Sequence, residues 1–278
     1  MDAITTAVFL FSVIFLPLAF RKFIKFEQVI TKPANAFFIA GLFTFLGFIT
    51  AIVLFPSMPS IVSIGLCSLF SVPFLVKFIE KERSAKRTDK KQAHSLKYFL
   101  HSHQNLVIFY AALFFGMALE YTLLFGFLPP DMSSAVFDNQ LGLIGPGGLP
   151  PTQSELPGIL SNNIQLMAIC FALSIFFGAG SMLILSYNAS LIGVVYGSGI
   201  RALAWSSGFQ VFSNPMAYLP HTILEIVAYL LAAIGGGVLS KGLGSRQVVF
   251  ESFMYLAFAL TVVFFAGLVE VTIPAMFI

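Results

Sequence analysis

The chain has 278 residues, 58% of them hydrophobic and only 10% charged, with a net charge of +3. A soluble domain carries about 25% charged residues, so too little polar surface exists here to cover a core in water, and soluble-enzyme folds are excluded. The 33 Phe beside a single Trp make the aromatic content apolar filler rather than a Trp belt.

Crossing about 30 Å of hydrocarbon takes about 20 apolar residues. Such stretches lie at 3–20, 34–55, 60–79, 106–128, 160–186, 189–212, 217–239 and 249–273. They predict an all-α, polytopic transmembrane bundle of about eight spanning helices, because backbone polar groups in lipid must be satisfied within their own segment. The first stretch follows Asp2 and precedes Arg21, Lys22 and Lys25. A cleavable signal peptide has the opposite charge order, so 3–20 reads as a retained helix with its N-terminus outside. Cys67 and Cys170 fall inside apolar runs and read as small buried hydrophobes.

Over 77–105, Lys77, Lys81, Arg83, Lys86, Arg87, Lys90, Lys91 and Lys97 form a strongly basic segment. Residues 80–97 read as a water-facing helix laid on anionic headgroups. Nucleic acid is the rival partner for a basic run and is set aside, since juxtamembrane basic residues are the ordinary topogenic signal. The loop at 129–159 has no Lys or Arg but has Asp131, Asp138 and Glu155, with many Pro and Gly that predict irregular backbone. It reads as an outer lid, a partner surface or simply an irregular connection. Lys241 and Arg246 mark the last turn. With eight crossings, every basic loop falls on one side, which predicts a multi-pass protein of a prokaryotic cell membrane with both termini outside.

Ionisable side chains at membrane depth are costly and usually paired or functional. They are few: Glu120, Arg201, Glu225 and Glu270, with His221 opening the seventh span; Asn162, Asn163 and Asn188 are polar but neutral. His221 and Glu225 are four residues apart and share a helix face. On the predicted topology Glu120, Asn162, Asn163, His221, Glu225 and Glu270 lie in the outer half of the membrane. Together they predict a polar cluster or outward-opening pocket, with Asn188 at the cytoplasmic end and Arg201 near mid-depth. His221 has three roles open to it: a hydrogen bond to Glu225 or Glu270, titration near neutral pH, or a metal held with both carboxylates. That set, His221, Glu225 and Glu270, is the one candidate for a metal ion; no other cofactor is expected. Arg201 either neutralises a Glu or binds a carbonyl at a helix break. Gly193 and Gly197, at small-xxx-small spacing, and the Gly235–Gly237 triple belong to close helix packing. Gly178 and Gly180 loosen the fifth helix.

Residues from about 98 to 276 resemble the stage II sporulation protein M family of integral membrane proteins. The resemblance rests on the Asn162-Asn163 pair, Asn188 after a Gly-bearing helix, Leu219-Pro220-His221 followed by Glu225, and Gly267-Leu268-Val269-Glu270 followed by Pro274. Ala189 and Thr222 stand where the family commonly has Gly. The resemblance implies a five-helix core at 98–278 behind an N-terminal region at 1–97 of three helices and the basic segment. The family's sporulation member is a membrane component of a complex with peptidoglycan-degrading enzymes. The resemblance therefore implies a membrane scaffold or assembly subunit that meets other membrane or cell-envelope proteins, or further copies of itself. Two alternatives stay open: a transporter or lipid-handling protein using the outward pocket, and an intramembrane metal-dependent hydrolase.

Overall fold

The computed structural model describes residues 32–86, 96–144, 156–177, 180–205, 209–240, 242 and 245–272. The expected span at 3–20 lies outside the described residues, as do 87–95 of the basic segment. Among the described residues the elements are all helical: α1 (Pro33–Leu54), α2 (Pro59–Lys86), α3 (Leu96–Phe127), α4 (Pro130–Val136), α5 (Asp138–Leu143), α6 (Leu156–Phe177), α7 (Met182–Trp205), α8 (Phe209–Ser240) and α9 (Arg246–Thr272). Seven of them, all but α4 and α5, are long and apolar enough to cross a membrane. The chain is a multi-pass membrane protein.

Several boundaries depart from the sequence reading; the stretch expected at 189–212, for one, is helical over Met182–Trp205. The fifth stretch, expected to run to 186, ends at Phe177, and the chain turns at Gly180–Ser181 before α7 begins at Met182. Gly180 thus falls at a turn rather than within a loosened helix, Gly178 lies outside the described residues, and Asn188 lies in α7. The seventh stretch begins at Phe209 rather than 217, so Pro220 and His221 sit inside α8 instead of opening it. A proline in a spanning helix is tolerated where neighbouring groups re-satisfy the freed carbonyl. The loop at 129–159 is not wholly irregular, since 130–136 and 138–143 are helical. Pro130 occupies the first turn of α4, where a missing N–H costs nothing, and Asp131 stands beside it.

Two compact units divide the chain. The first comprises Met1–Phe74, Ala112–Pro150 and Ser186–Ser207; the second comprises Leu75–Ala111, Pro151–Leu185 and Gly208–Ile278.

In the first unit, α1, α2, the second half of α3 and most of α7 pack through small residues. A Cβ on Gly197 of α7 would stand 2.8 Å from the Thr122 carbonyl oxygen of α3, and one on Gly193 would stand 3.0 Å from the Thr122 nitrogen. The small-xxx-small spacing therefore serves backbone approach. Helices α4 and α5 fold back onto this bundle. Phe137, between them, is buried at 1% exposure, its ring centroid 6.0 Å from Phe48, 6.1 Å from Tyr121 and 5.3 Å from Phe125. Gln140 of α5 accepts a 2.7 Å hydrogen bond from Ser60 and donates a 2.9 Å one to Ser190. The described part of the connection, 129–144, is thus a helical plug keyed into its own bundle.

The second unit is organised around α6, α8 and α9, each of which packs on the other two. Ser252 of α9 donates to the Gly235 carbonyl of α8 at 2.8 Å, and a Cβ on Gly267 of α9 would meet Leu156 and Leu160 of α6 at 3.0 and 3.1 Å. Phe78 of α2 and Phe109 of α3 stack within this unit at 4.1 Å.

Candidate polar site

Three helices of the second unit bring polar groups together in its core. Asn163, in the second turn of α6, is buried at 4% exposure. Its side-chain nitrogen donates a 2.6 Å hydrogen bond to Glu225 Oε1 of α8. Its side-chain oxygen accepts from the Tyr229 hydroxyl. The Glu225 carboxyl also lies beside that of Glu270 of α9. The order is therefore Tyr229, Asn163, Glu225, Glu270. Each link is made by a group that would be costly alone in a low-dielectric core.

The register follows from helix periodicity. His221, Glu225 and Tyr229 recur every four residues along α8 and share a face. His221 is buried at 6% exposure. The metal reading of His221, Glu225 and Glu270 finds no support in the geometry. Among the described residues no three His, Cys, Asp or Glu side chains gather to hold an ion.

The other expected members are distributed differently. Asn162 is exposed on α6, so of the asparagine pair Asn163 alone enters the network. Glu120 belongs to the first unit, half-buried on α3 and facing Gly41 of α1. Asn188 is half-buried on α7, also in the first unit. Arg201 binds carbonyls, the second of its two expected roles. Its guanidinium donates to the Phe125 and Leu128 carbonyls, the latter at 2.7 Å, and to Ser133 Oγ at 2.9 Å. It also lies over the Phe125 ring, 4.7 Å from the centroid. One side chain thus satisfies the open carbonyls at the end of α3 and ties α4 to them.

Sequence reasoning missed Tyr229 and Gln140. Tyr229 was signalled by its position four residues after Glu225. Gln140 carried no signal, because a glutamine in a Pro/Gly-rich connection reads as solvent-facing until the connection is seen to fold inward.

A family model described as stage II sporulation protein M matches residues 36–274. The match begins near the start of α1 and so takes in α1 and α2, which the sequence resemblance from residue 98 had left outside. An uncharacterized protein of Methanocaldococcus jannaschii is 30% identical over 118 residues, 41% of this chain and 58% of its own length. The alignment thus spans little more than half of that relative. No solved structure matches.

Proposed function

The chain belongs to the stage II sporulation protein M family, and from that premise we propose that it is a membrane scaffold, an assembly subunit that presents a fixed helical frame to other membrane or cell-envelope proteins. The observation that supports this most is the closure of the Tyr229–Asn163–Glu225–Glu270 network. Its donors and acceptors are engaged with one another across three helices, as in a clamp that holds register. A hydrolytic centre would instead need ligands or a nucleophile left open to substrate. Hydrogen bonds between spanning helices average well under about 2 kcal/mol each, but two in series, with the Glu225–Glu270 contact beyond them, fix the rotation of α6, α8 and α9 together.

The test is a pair of substitutions in the full chain, expressed in its host and extracted in mild detergent. Glu225→Ala removes the central link and should lower the yield of monodisperse protein and of any co-purifying envelope proteins. Glu225→Gln keeps an acceptor for Asn163 and offers Glu270 a donor, so it should restore both. Normal assembly of Glu225→Ala, with loss of a solute flux in vesicles, would replace the scaffold with the transport alternative.

A further inference from the structure

The Asn162–Asn163 pair divides α6 between two environments. Asn163 turns inward to the clamp, whereas Asn162 is exposed and makes no hydrogen bond among the described residues. Gln165, three residues on, is exposed as well. Its side-chain nitrogen donates to Ser161 Oγ at 3.2 Å, which leaves its carbonyl oxygen and its second N–H open. Both amides belong to the spanning segment Leu156–Phe176. At 1.5 Å per residue, Asn162 and Gln165 lie roughly 9 and 14 Å along it from Leu156, where lipid tails offer neither donor nor acceptor. The face that carries Gln165 is otherwise narrow. Gly158, Ser161, Gln165, Ala168 and Ala172 follow one another at alternating steps of three and four residues, the spacing of a helix–helix seam. Helix α6 is also the least covered of the seven spanning helices, with 28% of its spanning window buried against 61% for α8. The next least covered, α9 at 33%, turns phenylalanines outward, which lipid satisfies.

Helices in lipid associate through close packing and interhelical hydrogen bonds, and open amides on a small-residue face supply both. We propose that this face of α6 seats a second copy of the chain, the two helices running parallel about a two-fold axis along the membrane normal. Copies inserted in the same sense bring equal depths together, so a residue at the axis meets itself. Such a contact excludes charge, which its own image would repel, and it needs groups that donate and accept at once. The face meets both conditions. No charged residue lies between Gly158 and Ala172, and its polar groups are amides and a hydroxyl, which both donate and accept. Gln165 at the axis closes two reciprocal hydrogen bonds with the partner's Gln165. The small side chains at Gly158, Ser161, Ala168 and Ala172 let the two backbones approach. The proposal rests on the scaffold reading and deepens it, naming one partner and the helix face that receives it.

The experiment is oxidative crosslinking of the full chain in lipid. Ser161→Cys should give a reducible dimer in host membranes, while Leu260→Cys, on the exposed face of α9, should give none. In the Ser161→Cys background, Gln165→Leu should lower the association constant about tenfold, the worth of two interhelical hydrogen bonds, read from the dimer fraction across a lipid dilution series of the reconstituted chain. Leucine is at home against lipid, so this variant should fold as well as the wild type, and its circular dichroism checks that it does. Four results would overturn the proposal: no dimer from Ser161→Cys, equal dimer from Leu260→Cys, a dimer indifferent to Gln165→Leu, or a Ser161→Cys adduct to a different protein in place of a second copy. The first of these beside normal co-purification of envelope proteins would remove the second copy and leave the scaffold standing. A Gln165-dependent dimer without any co-purifying protein would do the reverse.

Discussion

Replacing Gly236 by Ala should loosen the second unit measurably, although the change adds one methyl group. A Cβ there would stand 2.8 Å from Ser174 Cβ and 3.1 Å from the Phe171 carbonyl carbon, and closer still to the Phe171 carbonyl oxygen. Carbon–carbon contacts settle near about 3.5–4.0 Å, so α8 and α6 must part by roughly 1 Å, since backbone cannot rotate away. Overpacking of this kind costs about 1–3 kcal/mol. The helix-propensity gain of Ala over Gly returns up to about 1 kcal/mol. The same separation stretches the Asn163–Glu225 and Tyr229–Asn163 hydrogen bonds, which join the same two helices and are worth about 1 kcal/mol each. The expected net loss is about 2 kcal/mol, roughly a 30-fold shift toward the unfolded chain. Titration with a denaturing detergent in mixed micelles, followed by circular dichroism, measures it. The internal control is Gly65→Ala, where a Cβ meets nothing within 4 Å, and stability should hold or rise slightly. Coincident unfolding curves for Gly236→Ala, Gly65→Ala and the wild type would refute the close-approach argument.

Arg201→Lys should destabilise by about 2 kcal/mol, because an ammonium cannot reproduce the planar fork that reaches Ser133 and two carbonyls at once; wild-type stability of this variant in the same titration would contradict the assignment. Gln140→Leu should cost about 1–3 kcal/mol and raise protease nicking near residues 138–143, since it strands Ser60 and loses the bond to Ser190. An unchanged digestion pattern would show that the plug is held by its aromatic contacts alone. A cysteine placed at Ser134, which is exposed on α4, should react with an impermeant thiol reagent added to intact cells, while the buried Cys67 and Cys170 stay silent. Labelling only after lysis would reverse the topology assigned from the basic loops.

The spanning helices were legible in the sequence because hydrophobic length is a property of a continuous segment. The clamp was half legible. Glu225 and Glu270 drew notice for their cost in lipid, and they meet. Asn163 and Asn162 were indistinguishable by sequence, since one residue of offset turns a side chain by about 100° and decides which faces the core. Glu120 shows the same limit in three dimensions, as its depth matched the others while its helix half belongs to the first unit. Two small-residue patterns behaved differently. Gly193 and Gly197 read correctly as a packing stripe, whereas Gly180 sits at the turn before α7, because helix packing and helix termination draw on the same residue. The plug was the least legible part, since its burial depends on Ser60, Ser190, Phe48 and Arg201, all distant in sequence.

The Arg201 contacts also set an order of events during synthesis. The Leu128 carbonyl and Arg201 are separated by 73 residues. At about 5–20 residues per second, the ribosome takes on the order of 4–15 s to supply the guanidinium after α3 has emerged. Through that interval the end of α3 must rely on water or headgroups, and the plug has only its contacts to the earlier helices, Phe137 on Phe48, Tyr121 and Phe125 and Gln140 on Ser60. The Arg201 and Ser190 ties close only once α7 has arrived, which makes the locking of the plug a late, checkable step in biogenesis.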